Sequence, residues 1–279
     1  MKRLIFPVCF TIFLVLLYFY LTTPRSTPVY LSPTDQISTP EMPEEPAVEH
    51  EAMQHIRAIN SQMSQLQSLS VGHINIRVKQ RMSAKVSGTL YLEREKRFRM
   101  RVESIVGQEM DIGSNDTHFW FWSRRMEPPA LYYARHEDLH KAMLKTPLNP
   151  AWMMESMTAS GIDTKNAQII KFKGYWAVLE GRVSANKEPV WKVTLIDPNQ
   201  SLVIGHYLYS AAGKMIASSE VQEFQNINGF ALPKRLLILW YEEGVRMEWE
   251  LNDVRVNVPI SSDKWEMPKM RHSINMGEG

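Results

Sequence analysis

The sequence predicts one large antiparallel β-sheet with helices on one face, an α+β arrangement that is mainly β, preceded by a single N-terminal transmembrane helix. Three observations predict it. An unbroken apolar run fills residues 4–21, and Met and Ile recur at helical spacing after a Pro-rich stretch. From about Val71 onward, apolar residues fall at every second position between short turns containing Gly, Asn, Asp or Pro.

Lys2 and Arg3 precede the apolar run, which is long enough to cross a bilayer, since about 20 helical residues span its hydrocarbon. A cleaved signal has a shorter core ending at a small-x-small site, and Phe19-Tyr20-Leu21-Thr22-Thr23-Pro24 offers none. An uncleaved anchor is therefore expected over a signal peptide. The basic pair before the span, with Asp35, Glu41, Glu44 and Glu45 after it, keeps residues 1–3 as a cytoplasmic tip and carries everything from Thr22 across the membrane. Cys9 is the lone cysteine and lies inside the run, so no intrachain disulfide can form and the fold must stand on its core. Residues 22–47, rich in Pro, Ser, Thr and Glu and without apolar periodicity, read as a disordered linker.

The remaining chain reads as one β domain, residues 48–267, with a flexible tail over 268–279. Met53, Ile56, Ile59, Met63, Leu66 and Leu69 mark one face of a helix over residues 48–69. Period-two alternation then begins, clearest in residues 86–92 and in Arg97-Phe98-Arg99-Met100-Arg101-Val102, where three arginines point one way and Phe, Met and Val the other. Counting the runs that follow gives about a dozen strands, most joined by short turns such as Asn228-Gly229 and Glu243-Gly244, which imply an antiparallel meander. Two short helical patterns, HEDLHKAMLK and NPAWMMESM, interrupt it between residues 136 and 161, with Asn149 a suitable cap and Pro150 at the first helical position.

The segments GTLYLEREKRFRMRV (88–102), DIGSNDTHFWFW (111–122), EPPALYYARHEDL (127–139), NPAWMMESM (149–157) and LNDVRVN (251–257) resemble LolA-like proteins of planctomycete-type bacteria, within the lipoprotein-carrier superfamily of LolA and LolB. The resemblance covers nearly all of residues 50–260. It implies a large curved antiparallel sheet, an incomplete β-barrel, whose concave face is covered by a helical lid around an apolar cavity. An anchored chain departs from a soluble shuttle and suits a fixed acceptor, donor or sensor.

The chemistry that can be excluded is broad. With 32 Lys and Arg against 30 Asp and Glu, there is no basic excess for nucleic acid. His136-Glu137-Asp138-Leu139-His140 spells the zinc motif H-E-x-x-H. However, Asp138 replaces the usual apolar residue, the motif opens a short helix straight after a strand, and Glu155 downstream, followed by Ser-Met-Thr-Ala, lacks the expected acidic partner. Acidic residues at the start of a helix explain it better, and in the LolA-like resemblance this stretch joins a strand to the lid. No G-x-S-x-G elbow, Gly-rich phosphate loop or cysteine outside the span is present. A non-catalytic binder without cofactor or metal is expected.

The aromatic runs Phe119-Trp120-Phe121-Trp122 and LLILWY (236–241) are apolar on both strand faces. Either helices cover the second face or part of that space is an acyl-chain cavity. Phe98, Met100, Phe119, Phe121, Trp152 and Met153 are the candidate lining, helped by the Met-rich helices at 53–63 and 143–157. Arg97, Arg99 and Arg101, with Arg94 and Lys96, form an outward stripe that is either solvated or in contact with anionic lipid headgroups. The expected role is a membrane-tethered envelope protein, with its domain in the periplasm or otherwise outside the cytoplasm. It would bind lipid or lipoprotein acyl chains for lipoprotein sorting, lipid transfer or sensing. The competing reading is a structural scaffold that holds an envelope protein partner through a sheet edge; a zinc metalloprotease is the least favoured.

Overall fold

The computed structural model describes residues 46–80, 83–93, 97–141, 150–157, 160–184 and 188–278. After helix α1 (Pro46–Gln65) come β1 (Ser68–Lys79), β2 (Ser83–Glu93), β3 (Arg97–Ser104), β4 (Gly107–Ser114), β5 (His118–Ser123) and β6 (Leu131–Arg135). A 3-10 turn, His136–Lys141, and helix α2 (Pro150–Ser156) lead to β7 (Ala167–Phe172), β8 (Tyr175–Val183), β9 (Pro189–Asp197) and β10 (Leu202–Ser210). The chain continues through β11 (Met215–Ile227), β12 (Phe230–Trp240) and β13 (Val245–Val256), then a 3-10 turn, Ser262–Trp265, and β14 (Ser273–Asn275).

All these strands belong to one 14-stranded sheet, in the order β14-β6-β5-β4-β3-β2-β1-β13-β12-β11-β10-β9-β8-β7. The architecture is thus two meanders joined side by side. In each, strands consecutive in sequence pair as hairpins; the seam between them is β1 against β13, with Leu69 flanked by Leu92 on one side and Val256 on the other. Local turn chemistry sets the hairpins. Asn228 and Gly229 both take positive φ, 51° and 87°, the conformation that closes a two-residue β11–β12 link with the twist of its strands.

One face of the sheet, the inner face, carries a continuous apolar core from Leu69 and Val71 through Phe98, Ile112, Phe119 and Phe121 to Trp176, Ile238 and Trp249. Each such side chain contributes about 1.5–3 kcal/mol when fully buried. Helix α1 adds one stripe, Ala52, Ile56, Ile59 and Met63, and keeps Glu51, Gln54 and Arg57 in solvent. It packs on β7 and β10, and α2 packs on β10 and β11.

The expected α+β class, with helices covering the sheet, is corrected. Among the described residues the fold is a large open β-sheet with two α-helices. HEDLHK forms a 3-10 turn, and α1 stops at Gln65 instead of running to Leu69. The cause of the early stop is Asn257, whose side chain accepts from Gln67 N–H at 2.7 Å and donates to Gln65 C=O at 3.0 Å, so Leu69 enters β1. Residues 4–21, expected to span the membrane, lie outside the described residues, and no described helix is long and apolar enough to cross one. The sheet is also not wholly antiparallel. Ser273–Asn275, within the tail expected to be flexible, runs parallel to β6, with Ile274 beside Tyr132.

Candidate functional site

Strand pairing assembles the inner face of the first meander into two adjacent rows. Leu90, Met100, Ile112, Phe121, Tyr132 and Ile274 lie side by side across β2, β3, β4, β5, β6 and β14. Leu92, Phe98, Ser114, Phe119 and Ala134 form the next row. Four of the six residues expected to line a cavity, Phe98, Met100, Phe119 and Phe121, are thereby brought together, each buried. Trp152 is buried in the same core but sits on α2, over the second meander. Met153 belongs to α2, and its side chain lies outside the described residues.

The second meander is different in kind. On its inner face, under α2, stand Glu180 and Arg182 of β8, Lys192 and Thr194 of β9, and His206 of β10. Glu155 of α2 accepts from Arg182 Nη1 at 2.6 Å and lies 3.3 Å from Lys192 Nζ. Glu180 meets the same two cations at 2.9 Å each. Burial works against the Arg182 guanidinium, but Glu155 and Glu180 outweigh it and raise its pKa. His206 is held well below the usual imidazole range by burial first and then by the charges of Lys192 and Arg182, with the Glu155 backbone pulling weakly the other way. Its Nδ1 lies 3.1 Å from Thr194 Oγ1, and its Nε2 has no hydrogen-bond partner among the described residues. Sequence reasoning missed this cluster, because the alternation of β9 misleads. Trp191, Val193 and Leu195 look like the buried side, yet Val190, Lys192, Thr194 and Ile196 are the ones buried. The usable signal was Glu180 and Arg182 standing two apart in a strand-like run.

The outer face explains the doubly apolar run Phe119-Trp120-Phe121-Trp122. Trp120 lies on that face across Gly113 and donates from Nε1 to Asp111 Oδ1 at 3.2 Å. Arg99 grips Asp111 with Nε and Nη2 at 3.1 and 2.8 Å, and its Nη1 donates to the carbonyls of Asp263, Lys264 and Glu266. The expected outward stripe is therefore corrected at Arg99. Its side chain is 2% exposed because the segment 262–266 lies over it. Arg97 is held by Glu93 and Asp116, and Arg101 stands 3.4 Å from Asp111. Arg94 and Lys96 lie outside the described residues.

His136 Nε2 lies 2.7 Å from the Asn115 carbonyl oxygen, and Glu137 pairs with Arg135. The 3-10 turn has about 3 residues per turn, which sets residues four apart about 120° around its axis, so the spacing of 136 and 140 is not that of two zinc ligands on one helix face. The His140 side chain lies outside the described residues.

Solved structures share this architecture. A DUF1329 family protein from Desulfovibrio piger superposes with a TM-score of 0.51 at 11% identity, over 78% of this chain and 97% of its own. A domain assigned to outer membrane lipoprotein sorting from Vibrio parahaemolyticus gives 0.52 at 10% identity, over 77% and 94%. A LolA superfamily protein from Nitrosomonas europaea gives 0.50 at 9% identity, over 76% and 97%. The fold is thus one that a LolA superfamily protein also adopts. No protein-family model and no curated protein matches the sequence, so the likeness is one of architecture. Within this LolA-type sheet, the apolar rows lie on the first meander and the charged cluster on the second.

Proposed function

We propose that residues 48–267 form a non-catalytic binding domain of a bacterial cell envelope, which holds lipid or lipoprotein acyl chains against the inner face of the sheet. One observation carries this reading: the two rows containing Phe98, Met100, Phe119 and Phe121 form a broad apolar panel, while the described α-helices pack on β7, β10 and β11. A panel of flat rings and flexible thioethers suits chains of varied shape, since methionine is unbranched and adaptable. Each methylene buried there contributes about 0.8 kcal/mol, so a partly enclosed chain offsets the cost of opening a covered face. Trp152 of α2 extends the lining from the second meander. Outer membrane lipoprotein sorting, to which the Vibrio parahaemolyticus domain is assigned, is in keeping with this reading.

The test is native mass spectrometry of the gently purified full-length protein, together with titration of a fluorescent fatty-acid probe. Co-purifying lipid and displacement of the probe by phospholipid acyl chains are expected, and Met100→Trp should weaken probe binding. Absence of lipid and of probe binding in every lipid class tried would end the proposal.

A scaffold role is favoured by a different observation. Val183 and Trp191 are exposed, at 69% and 49%, on the outer face beside the sheet edge at β7. A stable protein partner lost on Trp191→Ser, with lipid binding unaffected, would identify that role.

A further inference from the structure

The charged cluster under α2 divides into a part the sheet supplies and a part the helix supplies. Glu180 and Arg182 share a face of β8, and Lys192 stands opposite Glu180 on β9. Among the described charges of this cluster, the sheet alone contributes two cations and one carboxylate. Glu155, the fourth member, arrives from α2 and touches both cations.

Lys192 is 2% exposed and Glu180 9%, so an uncompensated charge here is one that water cannot easily reach. Leaving such a charge unpaired is strongly unfavourable, whereas an apolar set in the same place would be equally stable or more so. The cluster is therefore a poor device for stability alone. It makes the position of α2 conditional on an anion. Lifting α2 strands one positive charge on the sheet unless another negative group replaces Glu155. Beside that position stands His206, 3% exposed with Nε2 unpartnered among the described residues. Arg182, 33% exposed, gives the cluster an approach from solvent.

We propose that the Glu155 carboxylate occupies an anion site of the sheet, built by Arg182 and Lys192, and that a carboxylate or phosphate group of the ligand takes its place and releases α2. The lipid origin of that anion rests on the acyl-chain reading above; the site itself does not.

Oleic acid, methyl oleate and inorganic phosphate discriminate, with binding to the full-length protein and hydrogen exchange over residues 150–157 as readouts. Oleic acid is expected to bind on the order of ten-fold more tightly than its ester and to speed exchange in α2, while the ester does not. Glu155→Gln removes the internal competitor, so it should tighten the acid by a similar factor and leave the ester unchanged. Phosphate that displaces the acid assigns the site to any small anion; phosphate without effect assigns it to the headgroup of a chain-bearing ligand. Acid and ester bound alike by both proteins, or α2 exchange indifferent to the acid, overturns the proposal and leaves the acyl-chain reading intact. If neither binds, that reading fails and phosphate decides the site: faster α2 exchange in Glu155→Gln supports it, and no change overturns it. Should Glu155→Gln fail to fold, Glu155→Asp keeps the charge on a shorter arm and is expected to shift acid affinity and exchange in the same direction, by less.

Discussion

The indole of Trp120 fills the space directly over Gly113, its cross-strand neighbour, so that a Cβ at position 113 would fall inside the ring's contact distance. The ring cannot swing aside freely, because its Nε1 is bonded to Asp111 and Arg99 lies over it, 5.6 Å from the ring centroid. Gly113→Ala should therefore destabilise by about 1–3 kcal/mol through overpacking. Urea unfolding followed by tryptophan emission checks this, and Gly113→Ala with Trp120→Leu should recover part of the loss.

Arg99→Met leaves Asp111 buried at 2% exposure without its bidentate partner and takes a donor from three carbonyls of the segment 262–266. A cost of about 3–5 kcal/mol is expected for breaking a buried pair from one side. The segment should also loosen, so trypsin should cut after Lys264 in the variant well before it does in the parent. Arg99→Lys should be nearly as damaging, since an ammonium cannot reproduce the planar fork.

Asn60 pins the strand-free stretch after α2 to α1. Its side chain donates to the Ile162 carbonyl at 2.9 Å and accepts from the Ile162 N–H at 2.7 Å. Asn60→Ala leaves both backbone groups of a buried residue without that partner, a loss of about 1–3 kcal/mol. Faster amide exchange at 161–163, with the β1–β13 amides unchanged, is the expected signature.

Acid should weaken the fold through His206. Its imidazole is held neutral, so its folded pKa lies below that of the unfolded chain, and between the two values the unfolded state binds the extra proton. The stabilising contribution is complete above about pH 6.5 and is lost as pH falls below it, at a slope approaching 1.4 kcal/mol per pH unit for one group. Unfolding free energies measured from pH 7.5 to 5 should show this slope in the parent and a shallower one in His206→Gln.

The sequence carries the sheet plainly. Alternation in 97–102 places Phe98 and Met100 together on the inner face, and Asn228-Gly229 marks its hairpin. The segments that resemble LolA-like proteins point to the architecture that the solved structures share. What could not be read are the places where a polar group is buried by partners far away in the chain. Arg99 looks solvated until residues 262–266 cover it, and Lys192 looks outward until Glu155 and Glu180 receive it. Period-two patterning reports hydrophobicity alone, and in β9 it points to the wrong side, because ion pairing there takes the place of apolar burial. Ser273–Asn275 is too short to stand out by pattern; its strand exists because β6 offers an edge.

The β1–β13 seam sets a timetable for biogenesis. β1 is the first strand of the described domain to leave the ribosome, yet one of its two ladders is completed by residues 246–256, near the end of the chain. While the rest is being made, the first meander can form its hairpins but presents the Leu69–Lys79 edge without a mate. An unpaired edge of that length is an invitation to pair with another chain. A nascent molecule stalled before Val245 is thus the species most open to such pairing.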